Sequence, residues 1–218
     1  MSFKLNSNAK ILLLAPHTDD IEIGAGAFVS KAVKKGAQVC YVAFSDCCES
    51  LPEGFGKETL RNECLAATAL LGIPPDNVHV LNFPVRNFDR NRQEILEYLI
   101  SVRNSFKPSL VLTPSLKDMH QDHQVIAQES IRAFKQSTIL AYQFDWNCLE
   151  LTRNVFFCIN QDDMSNKIKA LSAYKSQSQK AYFDPNFIKS HCSVIGSQFG
   201  FDYAEAFELV RMVVNDEG

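Results

Sequence analysis

The sequence predicts an α/β protein: a Rossmann-like, doubly wound, mostly parallel sheet flanked by helices, as a single domain over residues 1–218. Three observations carry this. Ile11–Ala15 is an unbroken apolar run of the kind that forms a strand buried on both faces of a parallel sheet. Short apolar runs then alternate with helical patterns as far as Tyr142, the order that right-handed crossovers produce. Two of these runs, Ile11–Ala15 and Leu110–Thr113, lead into clusters of His and Asp. Open α/β sheets bind ligands at the carboxyl ends of their strands.

Taken in order, residues 1–10 are polar and read as a lead-in to strand one, Ile11–Ala15. After the first polar cluster come Gly24 and Gly26. An apolar-periodic helix over Ala27–Lys35 follows and stops at Gly36. Val39–Phe44 alternates and is rich in β-formers, which makes it strand two. Ser45–Lys57 holds Pro52, Gly54 and Gly56 and is a loop. A helix over Glu58–Leu71 ends at Gly72, with Pro74 and Pro75 behind it. Val78–Leu81 is a short strand three, Asn82–Asn91 a loop, and Arg92–Phe106 a helix closed by Pro108. Leu110–Thr113 is strand four, Pro114–Asp122 a third loop, Gln124–Phe134 a helix and Ile139–Tyr142 a strand. After Phe144 the alternation weakens, and Asp145–Arg153 marks a change of architecture rather than a linker. Beyond it Val155–Ile159 reads as a strand, and Asp163–Tyr174 and Pro185–Ile195 as helices. Ala204–Val214 combines a helical start with a β-rich end.

At 218 residues the chain suits one domain with a full core, and 46% hydrophobic with 22% charged residues is ordinary for a soluble globular protein. A net charge of -3 supplies no electrostatic drive toward nucleic acid or an anionic membrane. No apolar run approaches the roughly 20 residues of a membrane span, and the Ile11 run is too short for a signal-peptide core. The seven Cys are odd in number and lack a C-x-x-C pair, as reduced core thiols do. The expectation is a cytoplasmic protein acting on a small molecule, with a homo-oligomer compatible with the sequence.

His17, Asp19 and Asp20 lie within four residues of one another. Adjacent Asp19 and Asp20 cannot point the same way from an extended loop, so one can bind a metal while the other faces what the metal holds. The loop after strand four reads Lys117-Asp118-Met119-His120-Gln121-Asp122-His123. If strands one and four are neighbours, both clusters open into one crevice. Catalytic zinc takes three His and Asp/Glu ligands and keeps a position for water. A His, Asp, His set from the two loops satisfies that. The water's pKa then falls to about 7, and a spare carboxylate beside it is a natural general base.

Pro16-His17-Thr18-Asp19-Asp20 with Gly24, followed by His120-Gln121-Asp122-His123, resembles the PIG-L/LmbE family of zinc-dependent N-acetylglucosaminyl deacetylases. Further similar stretches are Arg61-Asn62-Glu63 before Leu71-Gly72, Lys169-Ala170-Leu171 leading to Tyr174-Lys175-Ser176-Gln177, and Gly200 through Phe207. The resemblance implies His17, Asp20 and His123 as ligands of zinc, with another divalent metal as the alternative. It implies Asp19 as the base toward the metal-bound water. His120 would stabilise the oxyanion and assist protonation of the leaving amine, and Arg61 would face an amino-sugar substrate. Thr18 and Ile21 stand where the family usually has Pro and Glu. Neither is a ligand or the base, but the Ile21 change removes any hydrogen bond the usual Glu makes.

Other residues have ordinary roles open to them. Gly24-Ala25-Gly26 lacks the third Gly of a dinucleotide loop, and close packing of helix on sheet accounts for it better. Cys47 and Cys48 have nothing basic beside them to lower a thiol pKa. His79 reads as structural, and His191 as either a helix-end or a site residue. Arg86, Phe88 and Arg90 belong to a solvated loop or a substrate rim. Three functions compete with N-deacetylation of an amino sugar. One is an amidase of the same chemistry on another conjugate. Another is a non-catalytic sugar- or nucleotide-binding protein, and the last is a member of the fold that has lost its metal.

Overall fold

A computed structural model describes residues 8–214. Its elements are β1 (Lys10–Ala15), α1 (Asp20–Lys34), β2 (Gln38–Ala43), α2 (Thr59–Leu70), β3 (Val78–Val80), α3 (Arg92–Phe106) and β4 (Leu110–Pro114). They continue with α4 (Gln121–Ala133), β5 (Thr138–Tyr142), β6 (Val155–Ile159), α5 (Gln161–Ser172), α6 (Pro185–Ser197) and β7 (Tyr203–Arg211). The strands form one sheet in the order β3-β2-β1-β4-β5-β7-β6. The first five are parallel, and β7 runs antiparallel between β5 and β6. The chain is a single-domain α/β fold, as the alternation of runs predicts. The architecture changes after β5, where the parallel half gives way to an antiparallel edge.

β1 is the axis of the sheet. Ile11, Leu13 and Ala15 point into the core under α1, α2 and α5, while Leu12 and Leu14 point into the core under α3 and α4. All five are fully buried. Burying a Leu or Ile side chain stabilises by roughly 1.5–3 kcal/mol, so this strand tolerates no polar residue until it leaves the sheet at Pro16.

Several boundaries differ from the sequence reading. α1 begins at Asp20 rather than Ala27, so Gly24 and Gly26 lie inside it. Close packing is their reason. A Cβ on Gly24 would stand 2.9 Å from the Tyr142 ring on β5, and one on Gly26 would stand 3.2 Å from Lys167 Cγ on α5. α4 begins at Gln121 rather than Gln124, because the His120 side chain caps it. The stretch from Ala204, whose start reads as helix, is strand from that start as far as Arg211. Its Ala-Glu-Ala start favours helix only locally. In the fold Phe207 packs on Phe28, and Glu205 is buried where it accepts the Ala27 and Phe28 N–H groups and pairs with Lys167.

The loop from β1 into α1 is held from below by Glu22, which is fully buried. Tyr41 Oη lies 3.0 Å from Glu22 Oε2 and Tyr174 Oη 3.2 Å from Oε1. Both hydroxyls also reach the carbonyl oxygen of Thr18. Two hydroxyl protons cannot serve four contacts, and a proton on Glu22 supplies a third. Burial accordingly pushes the Glu22 carboxyl up to about 8 from its ordinary 4.5. A folded-state pKa above the unfolded one means that the native state binds the extra proton. The stabilisation is therefore full below about 4.5 and is lost as pH rises to about 8. Glu22→Gln retains an N–H donor and should flatten that decline in urea-unfolding free energies measured from about pH 5 to about pH 8.5. An unchanged slope would show that Glu22 is ionised throughout.

Candidate metal and catalytic site

β1 and β4 are neighbours, with Leu13 opposite Leu112. The loops that follow them open into one cleft of about 350 Å³, lined by His17, Asp19, Asp20, His120 and His123 among others. The structure thus brings together five of the six residues singled out in the sequence. Asp20 and His123 are buried, and His17 and Asp19 are half-buried.

Three atoms converge on one point. His17 Nδ1 lies 3.2 Å from His123 Nε2, and Asp20 Oδ2 lies 3.4 Å from each. Tetrahedral zinc with bonds of roughly 2.0–2.2 Å places its ligand atoms about 3.3–3.6 Å apart. The far side of each ring fixes its tautomer. His17 Nε2 lies 3.1 Å from Asp122 Oδ2, and His123 Nδ1 lies 2.8 Å from Asp118 Oδ2. A carboxylate only accepts, so each far nitrogen carries a proton, and in the neutral ring each near nitrogen presents a bare lone pair. Two lone pairs and a carboxylate oxygen facing one another repel unless a cation sits between them. The donor set therefore fits a divalent ion. His120 is close by, and the ligand atoms of His17, His120 and His123 lie within 4.8 Å of one another.

The electrostatics favour positive charge at the same point. Burial opposes ionisation of Asp20, but the His123 and His17 rings outweigh it and hold its carboxyl down at about 2. Burial likewise opposes a charge on His17, yet its contacts with Asp122 and Asp20 raise it well above the usual imidazole range. Asp19 goes the other way, because burial and the adjacent Asp20 charge raise its carboxyl above the ordinary value. His120 is lowered by burial and by the neighbouring imidazoles. Its Nδ1 accepts the Asp122 N–H at 3.2 Å as the cap of α4, which leaves Nε2 to carry the proton.

The loop after β3 forms one wall. Asp122 is fully buried and accepts the N–H of Arg86 at 2.6 Å as well as the His17 ring. Arg86 takes a left-handed backbone (φ 66) and lines the cleft. Phe88 is buried against the His17 ring, 6.1 Å between centroids. The loop after α5 supplies Lys180 and Tyr182, and Trp146 stacks between Phe144 and Tyr182. Arg61 does not line the cleft. Its Nη2 donates to the Val80 carbonyl at the end of β3, 2.7 Å away. His79 is exposed on β3, and His191 bonds to Asp145 at 3.1 Å beside a neighbouring cavity. Cys47 lines the cleft, but burial raises its thiol to about 11, so it is neutral. Cys48 makes no contribution to the lining.

Sequence reading passed over Asp118, Asp122 and Glu22 as individual residues. Their common signal is an acidic residue within five positions of a ligand-type His or Asp and behind a buried strand. Lys180 and Tyr182 carry no local signal, because only the packing of α5 against α1 and α2 brings their loop to the cleft.

The family model described as GlcNAc-PI de-N-acetylase, PIG-L, matches residues 12–134. That span is more than half of the chain and holds both histidine clusters. Diacetylchitobiose deacetylase from Thermococcus kodakarensis is 23% identical over 96% of this chain and 88% of its own length. Among solved structures, N,N'-diacetylchitobiose deacetylase from Pyrococcus horikoshii superposes with a TM-score of 0.78 at 22% identity, over 95% of this chain and 87% of that one. The 4-carboxy-2-hydroxymuconate hydratase GalB of Pseudomonas putida superposes with a TM-score of 0.74 at 19% identity, over 96% and 99%. At such identities these structural likenesses establish the fold, which hosts more than one reaction. With its model matched across the strands and loops that build this cleft, the chain belongs to the PIG-L deacetylase family.

Proposed function

We propose that this protein is a zinc-dependent hydrolase that removes acetyl from an N-acetylated amino sugar or sugar conjugate. The convergence of His17 Nδ1, Asp20 Oδ2 and His123 Nε2 on one point beside Asp19 carries the reading. These three would hold the ion. When bound, the ion supplies Lewis acidity for the amide carbonyl and for the attacking water.

The remaining steps belong to the chain. The Asp19 carboxylate accepts the proton of the water as its oxygen adds to the acetyl carbon. The His120 Nε2–H donates a hydrogen bond to the carbonyl oxygen as it gains charge. The C–N bond then breaks, the proton passes to the leaving nitrogen, and acetate and amine are released. Asp118 and Asp122 orient the two ligand rings. Trp146 and Arg86 at the mouth suit contacts with a sugar. Arg61 is proposed to act at one remove, by tying α2 to the end of β3, from which the Arg86 loop departs.

Two readings compete on the same fold. An amidase acting on another conjugate shares every residue above, and only the substrate panel separates them. The likeness to a hydratase allows water addition to a double bond, which releases no amine. Amine release from N-acetylated sugars by zinc-loaded protein is therefore the deciding assay. Turnover without free amine would remove the deacetylase reading.

Asp19→Asn should keep about one zinc per chain and lose roughly 10²–10⁴ in kcat, the usual worth of a general base. Asp20→Asn should lose the metal. Elemental analysis alongside kcat reads both, and a metal-free Asp19→Asn beside a zinc-loaded but slow Asp20→Asn would reverse the assignment. The acidic limb of the wild-type pH–rate profile should lie above the ordinary carboxylate range, because Asp19 is raised and loses its basic form as pH falls through that value. Asp118→Asn can still hydrogen-bond to His123 but carries no charge. It should weaken zinc affinity by about 10–100-fold, measured by competition with a chelating dye, and an unaltered affinity would deny Asp118 its orienting role.

A further inference from the structure

Gln177 has no part in the reaction steps above. It stands on the loop after α5 and lines the cleft, yet it is only 4% exposed. Its Nε2 lies 3.0 Å from Ser176 Oγ. Ser176 is tied in turn to Glu63 on α2 by two contacts. Its N–H donates to Glu63 Oε1 at 2.9 Å, and its hydroxyl lies 2.6 Å from Oε2. Glu63 and Ser176 are both buried, so water does not compete for these bonds.

The chain of bonds runs in one direction. A carboxylate only accepts, so the single hydroxyl proton of Ser176 goes to Glu63. Ser176 Oγ can then only accept from Gln177, and the amide nitrogen must face it. That settles an orientation which the shape of an amide leaves open. Gln177 Oε1 faces away from Ser176 and meets no donor among the described residues. The buried polar side-chain atoms without a partner are Thr18 Oγ1 and Asp163 Oδ2. Gln177 Oε1 is not one of them, so it opens onto the cleft as a bare acceptor on an otherwise enclosed side chain. The loop that carries it stands beside the proposed base. Tyr174 Oη reaches the Thr18 carbonyl, one residue before Asp19. Burial opposes a charge on Lys180, but the Asp19 charge outweighs it. Asp19 and Asp20 are committed to the water and the metal, which leaves Gln177 Oε1 as an acceptor for donors on the substrate.

We infer that Gln177 Oε1 accepts a hydrogen bond from the amino-sugar substrate, given by the N–H of the scissile amide or by a hydroxyl beside it, and that Glu63, acting through Ser176, is the positioning residue that turns this oxygen to the cleft. The inference rests on the deacetylase reading above and adds a substrate contact to it.

The test compares zinc-loaded wild type, Gln177→Met and Glu63→Gln on N,N'-diacetylchitobiose, N-acetylglucosamine and 4-nitrophenyl acetate. The last is an ester with neither an N–H nor a hydroxyl. Met keeps the length of Gln and lacks the acceptor. Gln177→Met should lower kcat/KM for the amides about tenfold. Its zinc content should be unchanged, and the ester, which offers Gln177 no donor, should be cleaved at the wild-type rate. Glu63→Gln keeps an oxygen for the Ser176 N–H and sets its NH2 group against Ser176 Oγ. Ser176 then has its own proton to give, the Gln177 amide turns over, and the cleft meets an N–H instead of an oxygen. The loss on the amides should match that of Gln177→Met, and the double variant should lose no more than either. A bond to the scissile N–H strengthens as that nitrogen gains its proton, so its loss falls in kcat. A bond to a hydroxyl is made equally in the ground state, so its loss falls in KM. Unchanged amide kinetics in Gln177→Met overturns the inference. So do amide and ester rates that fall together, or loss of zinc, either of which would make the three residues a brace for the loop. If wild type releases no amine from either sugar, the deacetylase reading fails, and binding decides the contact. Trp146, the one tryptophan of the chain, lines the cleft and reports binding by fluorescence. N-acetylglucosamine bound about tenfold more weakly by Gln177→Met upholds the contact, and equal or absent binding overturns it.

Discussion

Two imidazole nitrogens and a carboxylate oxygen, each within 3.4 Å of the others, set the terms for this molecule. Such a group is unfavourable by itself. It persists because Asp118 and Asp122, both buried, bind the outer sides of the two rings and forbid the tautomers that would relieve it. The arrangement is one that a cation completes. Everything else in the fold either brings these atoms together or keeps them there.

The bringing together is a matter of strand order. β1 and β4 are adjacent at the point where the chain turns from one side of the sheet to the other, so their following loops share a crevice. The keeping is a matter of packing. Gly24 lets α1 sit against Tyr142, and Tyr142 Oη donates to the Leu14 carbonyl at 3.0 Å, just before the ligand loop. Tyr41 and Tyr174, whose hydroxyls are bridged by Glu22, hold the Thr18 carbonyl from the other side. Ile21 stands where the family usually has Glu, and Glu22 is the acidic residue that supports this loop.

The parallel half of the fold and both clusters were legible because each rests on a local pattern. Ile11–Ala15 is apolar for burial on two faces, and the ligand types follow it directly. What was not legible depends on distant partners. α1 was read as starting seven residues late, because two glycines look like a loop until Tyr142 and Lys167 are placed against them. The Ala204 stretch reads as a helical start with a β-rich end from its own residues, and its start becomes strand through pairing with β5 and β6. Arg61 follows the family pattern, yet its guanidinium ends on the Val80 carbonyl. Lys180 is an unremarkable lysine until α5 delivers it to the cleft mouth.

The environments of Asp19 and His120 have a consequence for the proposed reaction. Burial and the Asp20 charge raise Asp19, while burial and two neighbouring imidazoles lower His120. Both shifts oppose a charge on the group concerned: Asp19 holds a proton more readily than an ordinary carboxylate, and His120 resists taking a second one. His120 is also bound by its other role. Its Nδ1 caps α4 through the Asp122 N–H, and this contact requires that nitrogen to stay unprotonated. A doubly protonated ring would break the cap. His120 therefore serves best as a neutral donor through Nε2, steadying the developing oxyanion, and the same backbone contact that starts the helix keeps it in that form.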